Sequence, residues 1–273
     1  MRDRVVLWAA ATVLALLALA AVAGPWLAPH GPGLQDIALG PVGPGAGHWL
    51  GTDDLGRDVF SRLLAGAATA LWGPAVVAVG TTALGSVLGL VAGYHKGWTD
   101  AVLMRVTDLM IALPGLLVLI VLVGIVGGGY GWSVVALVVL YTPFDTRVIR
   151  SLVLAQRELA YVEAARTLGL SSRTIMFRHI LPNLAPTVLA NVLMTFVVAL
   201  VSLAGLSFLG IGLPAGTPDW GLMIEENRGL LDLNPWASLA PAVLIALAAT
   251  AATLLGDGLF ERFNQKGAGR AGD

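Results

Sequence analysis

"LAPTVLANVLMTFVVALVSLAGLSFL", residues 184 to 209, contains no Lys, Arg, Asp, Glu or His. An apolar helix needs about 20 residues to cross a bilayer core of about 30 Å, so this stretch reads as a membrane crossing. Five similar runs lie on either side of it: Val5–Ala23, Leu71–Ala92, Leu109–Val126, Trp132–Thr146 and Trp236–Leu255. Trp132–Thr146 is short and must borrow residues as far as Ile149. Only 12% of the residues are charged, and the mean hydropathy is +0.82. Soluble domains carry about 25% charged residues, so the chain is expected to be an all-α, polytopic membrane protein with six transmembrane helices. Arg2, Arg4, the first apolar run and Ala21-Val22-Ala23 also fit a cleavable secretory signal. That run is longer than the usual signal core, which favours a retained helix.

Basic residues stay on the cytoplasmic side. With both termini inside and six crossings, 13 of the 16 Lys and Arg face the cytoplasm and only Arg57, Arg62 and Arg228 fall outside. The inverted topology would leave those 13 outside, so the N- and C-termini are expected in the cytoplasm. The chain has no cysteine, which excludes disulfides, thiolate catalysis and Cys-based metal sites.

After the first helix, Ala28–Gly47 is rich in Pro and Gly and reads as an irregular outer loop. Next comes "LGTDDLGRDVFSRLLAGA", residues 50 to 67. Asp53 or Asp54 suits a helix cap, Leu55, Val59 and Leu63 form a stripe, and Asp58 precedes Arg62 at ion-pair spacing. The expectation is an amphipathic helix on the outer membrane surface. The three aspartates lack the alternate-position spacing and distal Glu of a calcium loop. Gly73, Gly80, Gly85, Gly89 and Gly93 in the second crossing suit close helix packing in lipid. Pro114 is expected to kink the third, and Trp220 and Trp236 suit the interfacial aromatic belt.

Upstream of the opening stretch lies the largest polar element, Arg147 to Pro182, including "EAARTLGLSSRTIMFRHILPN" at 163–183. Tyr161, Ala164, Ala165 and Leu168 recur at i, i+3, i+4 and i+7, giving one apolar helical face. Gly169 stands where a left-handed residue ends a helix, and Ser171 or Ser172 can cap a second helix running to Pro182. A solvated positive-inside loop accounts for the arginines but not for the small-residue face. A DNA-reading helix-turn-helix has suitable spacing, but both ends are tethered to membrane helices, and Ile175, Met176 and Phe177 are poor at reaching base edges. A docking element for a cytoplasmic partner accounts for all of it.

Glu163-Ala164-Ala165, three residues, Gly169 and then Leu181-Pro182 resembles the EAA loop of ABC-type importer permeases. His179 replaces the usual apolar residue, and "RHILPN" resembles the peptide-permease branch. "LGTDDLGRDVFSRLLAGA", "MRVTDLMIALPGLL", "SFLGIGLPAGTPDWGLMI" and "LLGDGL" are similar to that branch as well. The chain thus resembles the C-type permease subunit of dipeptide and oligopeptide importers. The resemblance implies that Glu163, Ala164, Ala165, Gly169, His179, Leu181 and Pro182 form a cytoplasmic helix-turn-helix coupling loop docked in an ATP-binding subunit. It also implies a second homologous permease, two ATP-binding subunits that hold ATP and Mg, an external substrate-binding protein, and location in the bacterial inner membrane. The expected layout is residues 1–67 for the first helix, outer loop and surface helix, 68–262 for the permease domain with coupling loop 147–182, and 263–273 for a short tail.

No G-x-x-x-x-G-K-[ST] occurs, so nucleotide phosphates are expected to be held by another polypeptide and no cofactor is expected in this chain. His30, His48, His95 and His179 fall in loops or at the surface, so Ser202 and Ser207 have no intramembrane base and neither catalysis nor a metal site is expected. An ion-coupled secondary transporter usually holds ionisable groups within its helices. Here only Asp145 and Arg147 come close. The expected cargo is a peptide, with nickel, glutathione or another small solute as the alternative, and no nucleic acid is expected.

Overall fold

A computed structural model describes residues 2–126 and 129–269. Its main elements are α1 (Arg2–Leu27), α2 (Val59–His95), α3 (Gly97–Ile111), α4 (Gly115–Val126), α5 (Tyr130–Gln156), α6 (Ala160–Thr167) and α7 (Ser172–Thr174). A π-helical segment, Ile175–Ile180, then leads into α8 (Leu181–Phe208), followed by α9 (Trp220–Asn227) and α10 (Trp236–Gly269). Among the described residues there is no strand, only one isolated bridge between Thr52 and Asp58. The last residues of the expected tail, 270–273, lie outside the described part.

Five helical stretches are long and apolar enough to cross a membrane: Arg4–Leu27, Val59–His95, Tyr130–Gln156, Ser172–Phe208 and Trp236–Glu261. The expected third crossing, Leu109–Val126, is broken rather than kinked. Pro114 has no N–H and disfavours the α conformation at Leu113, so α3 stops at Ile111 and α4 restarts at Gly115. The 12 residues of α4 rise only about 18 Å, short of a full crossing.

All three apolar clusters include residues of α2. Its first turns meet α1, α9 and α10 through Leu63, Leu71, Trp220, Met223 and Ala248. Val77 meets α4, α5 and α8 through Leu119, Leu137 and Leu203. Leu90 and Tyr94 meet α5, α6, the π segment and Leu184 of α8. The expected glycine packing is the α2–α5 seam. A Cβ on Gly85 would lie 2.6 Å from Asp145 Cβ, one on Gly89 2.8 Å from Ile149 Cβ, and one on Gly93 2.9 Å from Val153 Cβ. Hydroxyls finish the join. Thr82 of α2 and Thr195 of α8 donate to the buried Asp145 carboxylate at 2.7 and 3.2 Å, and Tyr141 and Ser202 share a hydrogen bond of 2.6 Å.

The expected surface helix at residues 50–67 does not form. Residues 50–58 are a folded loop, Asp58 caps α2 by accepting from Ser61 N at 2.8 Å, and residues 59–67 are the first turns of α2 itself. The reason is charge pairing across the sequence. Arg62 donates to Glu226 at 2.8 Å instead of pairing with Asp58, so a fully buried arginine is tolerated in the first turn. Arg57 donates to Asp53 at 2.6 Å and to Glu226 at 3.0 Å, and Glu226 accepts from Gly216 N at 2.6 Å. Trp220, expected in an interfacial belt, is buried and donates from Nε1 to the Leu63 carbonyl at 3.0 Å.

Candidate functional site

Between the membrane-length helix α5 and the helical stretch Ser172–Phe208, α6 and the Gly169 turn form a short helical knob at one end of the bundle, packed on α2 and α5. Local chemistry builds this knob. The Gly169 N–H donates to the Arg166 carbonyl at 2.9 Å and the Leu170 N–H to the Ala165 carbonyl at 3.2 Å, the paired bonds of a Schellman stop. Gly169 has φ +75°, which glycine adopts without Cβ strain. Ser171 accepts from Thr174 N at 3.3 Å and starts α7.

Pro182 was expected to end the second helix of the loop, yet helix continues through it to Phe208. The π turn gives the reason: Leu181 donates to the Met176 carbonyl, five residues back, so the ladder is already reset where proline lacks its donor. Pro182 then occupies the first turn of α8, where a missing N–H costs little.

The expected docking residues divide between two faces. Val162 and Ala165 point inward with Ile175, Met176 and Ile180 and seat α6 on α2 and α5. Glu163, Ala164 and Gly169 are exposed, and so is Leu168, at 80%. His179 and Leu181 are half-buried, Leu181 packing against the same cluster, and Pro182 is exposed. The anticipated stripe of Tyr161, Ala164, Ala165 and Leu168 is therefore not one face. Among the described residues no basic side chain lies within ion-pair distance of Glu163.

Basic residues tie the knob to the bundle. Arg157 donates to the Tyr94 carbonyl at 2.6 Å and so caps the C-terminal end of α2. Arg166 sits 5.1 Å from the centre of the Tyr94 ring in a cation–π contact. Lys96 donates to Glu158 at 3.1 Å and holds that carboxyl below its usual range. On α5, Arg150 grips Asp100 of α3 with two bonds and Arg147 meets Asp108. None of these partners is legible in the sequence, because each lies tens of residues away.

At the opposite end, the sequence-adjacent aspartates turn inward. Asp53, Asp58 and Asp219 are buried, and Asp219 caps α9 through the amides of Gly221 and Leu222. Burial alone raises the Asp58 carboxyl, but Ser61, His48 and His30 hold it below its ordinary value. A cleft of about 490 Å³ lies beside Arg57, Glu225, Glu226 and Arg228.

Comparison with known proteins bears on this arrangement. Residues 85–267 match the family described as binding-protein-dependent transport system inner membrane component. A glutathione transport system permease protein of Pectobacterium atrosepticum is 38% identical over 82% of this chain and 74% of its own length. A dipeptide transport system permease protein of Alkalihalophilus pseudofirmus is 36% identical with the same coverage. A glutathione permease of Escherichia coli is 36% identical over 94% of this chain and 85% of its own length. The inward-facing MetNI methionine ABC transporter matches in fold, with TM-score 0.51 and 21% identity over 74% of this chain and 96% of that one. The family match spans all of α3 to α9, the α6 knob included, and the chain belongs to the binding-protein-dependent inner membrane components: it is a multi-pass permease subunit of the ABC importer type.

Proposed function

We propose that this chain forms half of the translocation path of an ATP-driven importer for small peptides, and that the α6 knob couples it to a separate ATP-binding subunit. The end bearing α6 lies in the cytoplasm together with both termini, and the end bearing α9 meets an external substrate-binding protein. A second, homologous permease completes the path, and two ATP-binding subunits bind ATP and Mg. The glutathione and dipeptide permeases among its relatives support a small-peptide cargo.

One observation carries the coupling reading: α6 is held from beneath by Val162 and Ala165 while Glu163, Ala164 and Leu168 face outward with no partner among the described residues. A small residue beside an exposed leucine admits close approach, and Glu163, without an ion pair among the described residues, offers a carboxylate for a charge-assisted bond. The Schellman stop and the Arg157 and Arg166 contacts make α6 a stiff extension of α2 and α5, able to pass a push into the membrane.

The test is a pair of substitutions one residue apart. Ala164→Trp adds bulk to the outward face, so it should abolish co-purification with the ATP-binding subunits and leave thermal stability unchanged. Ala165→Trp should destabilise the permease itself, because that site is packed. Attachment and substrate-stimulated hydrolysis that survive Ala164→Trp would rule out docking through this face.

A further inference from the structure

At the end of the bundle remote from α6, three side chains from separate segments converge on one point. His30 follows α1, His48 sits in the irregular loop, and Asp58 caps α2. One ligand-type atom from each lies within 4.8 Å of the other two. Their sequence separations follow no local metal-binding spacing, so only the fold unites them.

The cluster is more than a latch on a helix cap. Asp58 uses one oxygen, Oδ2, for Ser61, accepting from its N at 2.8 Å and its Oγ at 2.6 Å. The other, Oδ1, faces His48 Nδ1 at 2.8 Å. His30 is placed independently: its backbone N–H donates to Ser61 Oγ at 3.0 Å, and its ring stacks on His48 with centroids 4.9 Å apart. Its Nδ1 nevertheless stands 3.8 Å from Asp58 Oδ2, too far for a hydrogen bond. Ser61 and the ring stack hold that imidazole over a carboxylate it does not bond. The Asp58 side chain is 2% exposed, whereas those of His30 and His48 are 44% and 24% exposed, so the site has a buried anionic floor and an open entrance.

We propose that His30, His48 and Asp58 form a divalent transition-metal site of the zinc type, with two imidazole nitrogens, one carboxylate oxygen and a water in the open position. Imidazole with carboxylate, and no thiolate, matches zinc's nitrogen and oxygen preferences, at bond lengths of about 2.0–2.2 Å. Those lengths place ligand atoms about 3.3 Å apart in a tetrahedron, so His48 Nδ1, now 2.8 Å from Asp58 Oδ1, moves outward by about half an ångström and His30 turns toward the ion. The ion takes His48 as its Nε2–H tautomer, with the Nδ1 lone pair facing Asp58 Oδ1. The ion would staple the chain after α1 to the first turn of α2, next to the charge cluster of Arg57, Arg62 and Glu226. This proposal is independent of what α6 docks against.

The experiment uses the full chain in its purified importer complex, without a polyhistidine tag, stripped by chelator and titrated with Co²⁺. Expected is the intense visible absorption of tetrahedral cobalt, saturating at one ion per chain and erased by one equivalent of Zn²⁺. His30→Ala, at a half-exposed site that leaves the helix cap intact, should weaken zinc binding by about tenfold or more, and His48→Ala likewise. An unchanged spectrum and stoichiometry in His30→Ala would move the ion elsewhere and overturn the proposal. So would only the faint absorption of octahedral cobalt.

Discussion

Glu226→Gln is the sharpest test of how the helix ends are held together. The carboxylate accepts from Arg62 at 2.8 Å, from Arg57 at 3.0 Å and from Gly216 N at 2.6 Å, and its side chain is 13% exposed. Glutamine keeps the shape and its oxygen can still accept from Gly216, but its NH2 then replaces the oxygen that accepts from both arginines, so charge and acceptor are lost together. Two buried guanidinium groups would then share Asp53, whose Oδ2 is 2.6 Å from Arg57 Nε but 3.5 Å from Arg62 Nε; among the described residues the only other carboxylate is the half-exposed Asp54, 4.0 Å from Arg57. Breaking a buried ion pair costs about 3–5 kcal/mol, and the slight exposure of Glu226 points to the lower end. Glu225→Gln is the control. Its only ion pair among the described residues, with the exposed Arg228, spans 3.8 Å, and such pairs contribute about 0–1 kcal/mol. Equilibrium unfolding of both variants in detergent should separate them by at least about 2 kcal/mol. Arg57→Gln placed on Glu226→Gln should cost less than the sum of the two singly, since it restores charge balance. Equal stability of Glu226→Gln and Glu225→Gln would refute the reasoning.

Glycine substitutions should split by location. Gly89→Leu forces a side chain into Ile149 at the α2–α5 seam and should destabilise by about 1–3 kcal/mol or more, whereas Gly205→Ala in α8, where a Cβ meets nothing within 4 Å, should stabilise by up to about 1 kcal/mol; thermal unfolding reads both. The lowered Asp58 carboxyl contributes stability that is fully present above the ordinary aspartate value and is lost as pH falls through its lower folded value. In chelator, the stability gap between the native chain and Asp58→Asn should therefore narrow on acidification below about pH 4, and a gap constant with pH would contradict it.

The membrane-length helices were legible because a bilayer demands long apolar runs, and the glycines of α2 announced a close neighbour. The Gly169 stop was equally legible, since a left-handed residue and its two bonds are local. Long-range pairing was not. Asp58 and Arg62 have the spacing of a surface ion pair, yet Arg62 is claimed by Glu226, 164 residues away, and that partner turns a supposed surface helix into the start of α2. Ala164 and Ala165 look interchangeable until the cluster of Ile149, Val153 and Ile175 fixes which of them faces inward. The π turn before Pro182 has no composition of its own. His30 and His48 looked like scattered loop histidines because only the fold brings them over Asp58.

The long helix α2 has a mechanical consequence. Its 37 residues extend about 55 Å, with the Asp58 cap at one end and the Arg157 clasp at the other. Pro74 interrupts its hydrogen-bond ladder between the Trp220 cluster and the Val77 cluster, where bending is cheapest. The beam therefore has a stiff arm of about 30 Å on the α6 side. Each degree of rotation about Pro74 swings the Tyr94 end by roughly half an ångström while the Arg57–Glu226 clamp stays put.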